Sequence, residues 1–321
     1  MAQIFAYILH RNGEVDDTAV ELLAAAKKID AGANPTALVI GGPDGLDDVC
    51  RQAAAGYGEV WKVASDALSY PDAEITRKIL TNILPADSIV LLAHEHFGMD
   101  LAPGLSIKLD SAFVPDVVAI EGKDGDTLKL VRQEYGGAVS AHVDCDAAAG
   151  AVMTIRPGAF PAEENSAAGP VVDKSGEVGD TATARKFIEI VEAEAGDVDI
   201  TKSEVLVSCG RGIEDEDNIE IAFDLAKAMG ADVSCSRPIV DAKWLPKARQ
   251  VGTSGQTVKP KVYLACGISG SFQHIGGIKG NPFIVAINKN AKAPIFQVAD
   301  VGIVADILEF LPDLTEKIEE G

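Results

Sequence analysis

The sequence is short of positive charge, of paired cysteines and of long apolar runs, and each shortage removes a class of function. Only 28 lysines and arginines stand against 49 acidic residues, a formal net charge of -21. A chain this acidic repels phosphate backbones and anionic headgroups, so nucleic acid and membrane surfaces are poor partners. The charge suits solubility, or the steering of a positively charged partner protein. The five cysteines, Cys50, Cys145, Cys209, Cys235 and Cys266, include no C-x-x-C pair. Neither a zinc ribbon nor a ferredoxin-type cluster is therefore written here. Cys209 and Cys266 close apolar runs and read as small core residues. No apolar stretch approaches the ~20 residues that cross a bilayer. The start, Met1 to His10, has no basic region and no small-residue cleavage site. It reads as a first strand, which makes the cytoplasm the default expectation. The dinucleotide fingerprint G-x-G-x-x-G is also missing.

What remains is an ordinary globular balance, 47% apolar and 24% charged, in 321 residues, enough for two domains. Residues 2–10 read as a strand and 17–29 as a helix, with Asp16 and Asp17 as acidic start signals. A strand at Ala37–Ile40 runs into the glycine turn Gly41–Gly45. A helix over 46–55, a strand at Glu59–Val63, a helix near 73–84, a strand at Ser88–Ala93, a helix near 101–109 and a strand at Val114–Glu121 follow. Such alternation with short connections predicts an α/β domain with a mainly parallel sheet. Thr127–Tyr135, Ala138–Cys145 and Ala151–Ile155 lack intervening helices and suggest an antiparallel extension. Residues 162–182 are polar and aperiodic, as a linker is, so the expected domains are 1–195 and 196–321. Beyond Ile200 the alternation resumes. Strands are predicted at Glu204–Ser208, Asp232–Ser236, Val262–Cys266, Phe283–Asn288 and Ile295–Val298, with helices over about 216–229 and 305–318.

The chemistry gathers at the carboxyl ends of these last strands, where open α/β sheets bind ligands. Gly267-Ile-Ser-Gly270 leads into Ser271-Phe-Gln-His274, a glycine turn opening a short helix. Its free backbone N–H groups suit a phosphate. Gly210-Arg211-Gly212 puts an arginine at another strand end, Ser236-Arg237 at a third, and Gln250-Val-Gly-Thr-Ser-Gly255 supplies hydroxyls and supple backbone. Asn288 closes the next strand and Asp306 starts the last helix. Any one of these turns is commonplace; their concentration in one domain points to a nucleotide-type cofactor. Elsewhere the signals are weaker. Gly41–Gly45 carries Asp44, which opposes a phosphate, and reads as a plain turn. His94-Glu-His96 lacks a third metal ligand and reads as a loop pair. His142, Asp144 and Cys145 lie on an edge hairpin with no oxyanion helix.

The runs Gly267–His274, Ala286-Ile-Asn288 and Ala293-Pro-Ile-Phe-Gln-Val-Ala-Asp300 resemble the C-terminal signature of the electron transfer flavoprotein alpha subunit, a family that includes FixB-type proteins. Ser208–Gly212, Ser236-Arg237, Gln250–Gly255 and Gly302–Asp306 extend the likeness; Phe97–Pro103 and Val152–Pro161 carry it more weakly into the first domain. The resemblance implies two α/β domains, the C-terminal one a Rossmann-like FAD-binding domain. It implies that Arg211 and Ser236 touch the cofactor, with Arg237 over the flavin near N5. Gln250, Val251, Gly252, Thr253 and Ser254 would bind around the diphosphate and flavin edge. Ser269, Gly270, Ser271, Phe272, Gln273 and His274 would line the diphosphate and isoalloxazine, and Asn288, Asp306 and Ile307 the adenosine end. His274 at the N1–C2=O2 locus, a hydroxyl at Ser254 and a cation at Arg237 would favour negative charge on the flavin.

Two departures bear on this: Thr253 stands where the family usually has glutamine, and Ser254 where it has threonine. Ser271 and Phe272 also differ from the usual residues. The resemblance further implies a beta subunit as partner, a flavin dehydrogenase of acyl-CoA type as electron donor and a quinone oxidoreductase as acceptor, with no substrate turned over by this chain itself. Some members instead take part in NADH-dependent electron bifurcation. From the residues alone, a nicotinamide-dependent oxidoreductase using His274 as acid or base stays open, against the missing fingerprint.

Overall fold

Every residue of β1 (Ile4–Tyr7) is buried, as a strand covered on both faces must be. Ile4 and Ala6 enter one core, Phe5 and Tyr7 another, following the two-residue period of a strand. The computed structural model describes residues 3–135, 139–161, 169–189 and 198–320. The chain divides into two compact units, Met1–Ile188 and Glu189–Gly321. Ala2 and Ala138, both expected in strands, and residues 190–197, around the expected domain boundary, lie outside the described residues.

In the first unit, the short hairpin β2 (His10–Arg11) and β3 (Glu14–Val15) precedes α1 (Thr18–Ile29), β4 (Thr36–Gly41), α2 (Leu46–Ala54), β5 (Glu59–Ala64), α3 (Ala73–Ile83) and β6 (Ile89–Ala93). The next helix, α4 (His96–Lys108), starts five residues before the expected 101. The Glu95 carboxylate accepts from the N–H groups of Phe97 and Gly98 and so caps the helix early, and Pro103 is carried inside it. Glu95 and His96 thus belong to a helix start, and His94 follows the strand. β7 (Ala112–Asp124), β8 (Thr127–Glu134) and β9 (Val139–Asp146) form the expected antiparallel edge.

β10 (Ala151–Ile155) does not extend that edge. It runs parallel between β6 and β7 inside the sheet, all five residues buried. A short apolar run without alternation needs cover on both faces, and this decides its place. β11 (Val171–Asp173), within the stretch expected to be linker, pairs parallel with β5; residues 162–168 of that stretch lie outside the described residues. The order is β11-β5-β4-β1-β6-β10-β7-β8-β9. Side chains from α1 and α2 pack on one face and from α3 and α4 on the other. Among the described residues no helix is long and apolar enough to cross a membrane.

The second unit contains β12 (Val205–Cys209), α5 (Ile219–Met229), β13 (Asp232–Cys235), α6 (Arg237–Asp241), β14 (Val262–Cys266), α7 (Phe272–Ile275), β15 (Phe283–Ile287), β16 (Val301–Ile303) and α8 (Ile307–Glu320). Its strands form an all-parallel sheet in the order β13-β12-β14-β15-β16. α5 and α8 cover one face; Val251, Val258, Ile268 and Ile295, from the connecting loops, cover the other. The strand expected at Ile295–Val298 is instead a 3-10 turn over Pro294–Gln297, and the edge strand falls at Val301–Ile303. Pro294 fixes φ and has no N–H to lose at the first helical position, so it starts a turn.

Leu311, on α8, is fully buried in the helix-covered core. Leu311→Ala should lower the unfolding free energy of this unit by about 2–5 kcal/mol, read by denaturant titration. An unchanged midpoint would show that α8 does not hold this core.

Candidate functional site

Strand order in the second unit reverses between β12 and β14, so the connections leaving their carboxyl ends diverge and open a crevice. Two turns meet there. Arg211–Ile213 makes a single 3-10 turn after β12, and Gly267–Gly270 follows β14. The Gly212 N–H donates to the Gly267 carbonyl at 3.1 Å, and a Cβ on Gly212 would sit 2.7 Å from the Gly267 Cα. No side chain fits at that approach. α5 begins only after a second turn over Glu216–Asn218. Asp215, Glu216 and Asp217 therefore belong to that later turn, while Arg211 stays at the crevice.

The crevice is a cleft of about 770 Å³, a size suited to an organic cofactor. Arg211, Ser236 and Arg237 line it, as do Gln250, Val251, Gly252, Thr253 and Ser254. Ser269, Ser271, Gln273 and His274 form a further wall, and Asn288, Asp306 and Ile307 close it. Of the residues that the resemblance implicates, Gly270 and Phe272 are the two that do not line it. Gly270, at φ +82, is pressed against Ile295, where a Cβ would lie 2.3 Å from the backbone nitrogen. Phe272 is 59% exposed.

The walls are fixed by local hydrogen bonds. The Thr253 N–H donates to the Gln273 carbonyl at 2.8 Å and joins the 250–256 loop to the 271–275 turn. The Gln250 amide donates to Ser254 Oγ at 3.0 Å. The Asn288 amide donates to the Ile268 carbonyl at 2.9 Å, and Asp306 accepts from the Leu308 N–H at 3.0 Å at the start of α8. α7 spans four residues, and Ser271 before it makes no side-chain cap hydrogen bond. A single turn has little dipole, so what it offers is backbone N–H groups.

Arg237 is largely exposed and sits 3.3 Å from Asp241. Lys289, paired with Glu214, also lines the cleft. Sequence reasoning passed over this pair, although Lys289 directly follows the Asn288 that closes the strand. Among the described residues no group of acidic, cysteine and histidine side chains could hold a metal. His142 contacts Glu121 on the exposed edge sheet, while Cys145 is buried.

Of the ionisable residues lining the cleft, His274 is the buried one. It is 5% exposed, and burial drives its pKa down to about 4, opposed weakly by the Val251 backbone. Nδ1 of His274 is a buried nitrogen that makes no hydrogen bond of standard geometry within the protein. Its Nε2 lies 2.8 Å from the Tyr263 hydroxyl.

The signature described as "Electron transfer flavoprotein FAD-binding domain" matches residues 199–279, and "Electron transfer flavoprotein domain" matches residues 4–178. The chain belongs to the electron transfer flavoprotein alpha-subunit family. An electron transfer flavoprotein subunit alpha from Methylophilus methylotrophus is 34% identical across 99% of each chain. Protein FixB from Clostridium saccharobutylicum is 32% identical over 99% of this chain and 96% of its own length. A lactate dehydrogenase (NAD(+),ferredoxin) subunit LctC from Acetobacterium woodii is 29% identical over 98% of this chain and 77% of its own.

The family's cofactor is FAD, and its FAD-binding domain falls in the unit that holds the cleft. The residues present fit that cofactor. The cleft has the volume, backbone turns without Cβ bulk meet at its base, and a buried imidazole nitrogen lacks a partner within the protein.

The shifted imidazole makes stability pH-dependent. Unfolded His274 titrates near 6.5 and folded His274 near 4, so between these values the unfolded chain takes up a proton that the folded chain refuses. Stability is unaffected above the upper value, falls through the interval, and the loss is complete below it. His10 and His94 are shifted the same way, so the difference from His274→Gln isolates the effect. Between about pH 7 and pH 4, the flavin-free wild type should lose on the order of 3 kcal/mol more than the variant, by denaturant unfolding. Parallel pH profiles would show that His274 is not desolvated.

Proposed function

We propose that this chain is the FAD-holding subunit of a two-subunit electron carrier, pairing with a beta subunit and turning over no substrate of its own. The observation that carries this is convergence. Fifteen of the seventeen residues that the resemblance implicates line one cleft, at the switch point of one parallel sheet. FAD supplies the redox chemistry, taking up and releasing electrons singly or in pairs.

The chain's own residues do the rest. Arg211 and Arg237 offer positive charge, and the 250–256 loop and the Gly267–His274 turn offer N–H and hydroxyl donors that need no desolvated counter-charge. Asn288, Asp306 and Ile307 would hold the adenosine end. The buried neutral imidazole of His274 would meet the flavin pyrimidine, where its fixed dipole would favour added negative charge without the solvation cost of an imidazolium. Ser254, whose hydroxyl is already positioned by Gln250, would hold the flavin edge.

The donors and acceptors proposed are an acyl-CoA-type dehydrogenase, as in fatty acid oxidation, and a quinone oxidoreductase, in the cytoplasm. The likeness to the Acetobacterium woodii subunit favours a second reading, membership of an NADH-dependent bifurcating complex. Reduction of the purified two-subunit protein separates these. On the first reading an acyl-CoA dehydrogenase with its substrate bleaches the flavin and NADH does not; on the second NADH does. Denaturation should release FAD, and Arg237→Ala should shift the flavin potential with modest loss of binding. A colourless complex that releases no flavin would contradict both readings.

A further inference from the structure

Behind the wall formed by His274 runs a buried polar chain that packing alone does not require. Tyr263 stands on β14, fully buried on the loop-covered face of the sheet. Its hydroxyl lies 2.7 Å from Oγ of Ser208 on β12 and 2.8 Å from Nε2 of His274. The two rings are tilted by 57° with centroids 6.1 Å apart. Ser234, opposite Ser208 in the sheet register, brings a further buried hydroxyl beside them.

A count of protons decides how this chain is wired. Ser208, Tyr263 and the neutral His274 carry one mobile proton each, and a contact between two hydroxyls can use the proton of either. If Tyr263 donates to Ser208, His274 must donate from Nε2. The Ser208 proton then has no acceptor among the described residues, and Nδ1 is left as a bare lone pair. If Ser208 donates to Tyr263, Tyr263 donates to Nε2, and the Ser208 and Tyr263 protons are both placed; Ser234 Oγ makes no hydrogen bond in either wiring. The only N–H left over is then on Nδ1, a buried atom of a residue that lines the cleft. The first wiring leaves both a buried donor and a buried lone pair unmatched and the second a single donor, so the second is the more stable.

We propose that Tyr263, backed by Ser208, is the positioning residue that locks His274 as its Nδ1–H tautomer, so that a donor rather than a lone pair meets the bound cofactor. This rests on the reading of the cleft as the FAD site. A lone pair would repel the electron-rich pyrimidine oxygen of a flavin, whereas an N–H would bind it and bind it more strongly as negative charge accumulates there. Burial keeps the Tyr263 hydroxyl protonated, so it remains available as the donor.

The test reads the tautomer directly. The full-length chain, freed of flavin and labelled with nitrogen-15 histidine, is measured by long-range proton–nitrogen NMR, with His274 assigned by its loss in His274→Gln. The expected wild-type pattern is Nδ1 protonated and Nε2 bare. Tyr263→Phe, which keeps the ring and removes only the hydroxyl, should convert it to a mixture or to the Nε2–H form. In the FAD-loaded complex it should also weaken uptake of the first electron by about tenfold, as loss of a hydrogen bond to a charged group does. Ser208→Ala should give a smaller change in the same direction. A wild-type Nε2–H pattern would overturn the proposal, as would an unchanged tautomer in Tyr263→Phe. If Tyr263→Phe fails to fold, the wild-type pattern and Ser208→Ala decide. Because the tautomer is read without flavin, a complex that holds no FAD would refute the functional reading and leave only the tautomer assignment standing.

Discussion

At the base of the cleft the backbone of two connections touches. The Gly210 N–H donates to the Cys266 carbonyl at 2.8 Å, and the Gly212 N–H reaches the Gly267 carbonyl a turn later. This contact follows from the reversal of strand order between β12 and β14. With those turns pinned together, the next elements have little choice. The 250–256 loop bonds to the Gln273 carbonyl, α7 brings His274 against Tyr263, and Asn288 ties the end of β15 back to Ile268. The cleft is thus a rim of short polar turns on an apolar sheet, with one polar column running down into that sheet.

That column explains a conflict in the environment of His274. An imidazole so buried behaves as a core residue, and its depressed pKa says so. It also lines the cleft and leaves Nδ1 without a protein partner. The two descriptions are compatible if the ring is held neutral by desolvation and oriented from behind by Tyr263. A neutral, oriented dipole can favour charge on a bound group without itself being solvated.

Much of this was legible in the residues. The strand-helix alternation located nearly every parallel strand, because buried apolar runs of about five residues leave few other readings. It misplaced β10, where a missing helix suggested a hairpin although five consecutive buried-type residues already specified a central strand. It misplaced Ile295–Val298, where an apolar run hid the turn-forming Pro294. The glycine, hydroxyl and arginine turns of the cleft were readable because loop chemistry is local. Tyr263 and Ser208 were not, since each sits inside an apolar strand and acquires meaning only when the register sets β12 beside β14. Lys289 likewise needed its contact with Glu214, 75 residues away in sequence, to mark it as part of the rim.

On the proposed reading, the pyrimidine end of FAD lies against His274. This placement is tested most directly with FAD carrying carbon-13 at C2, bound to the wild-type protein and to His274→Gln. The C2 resonance of the bound flavin should move on substitution while FAD stays bound. An unmoved resonance in a fully loaded His274→Gln protein would place the flavin elsewhere and contradict that reading.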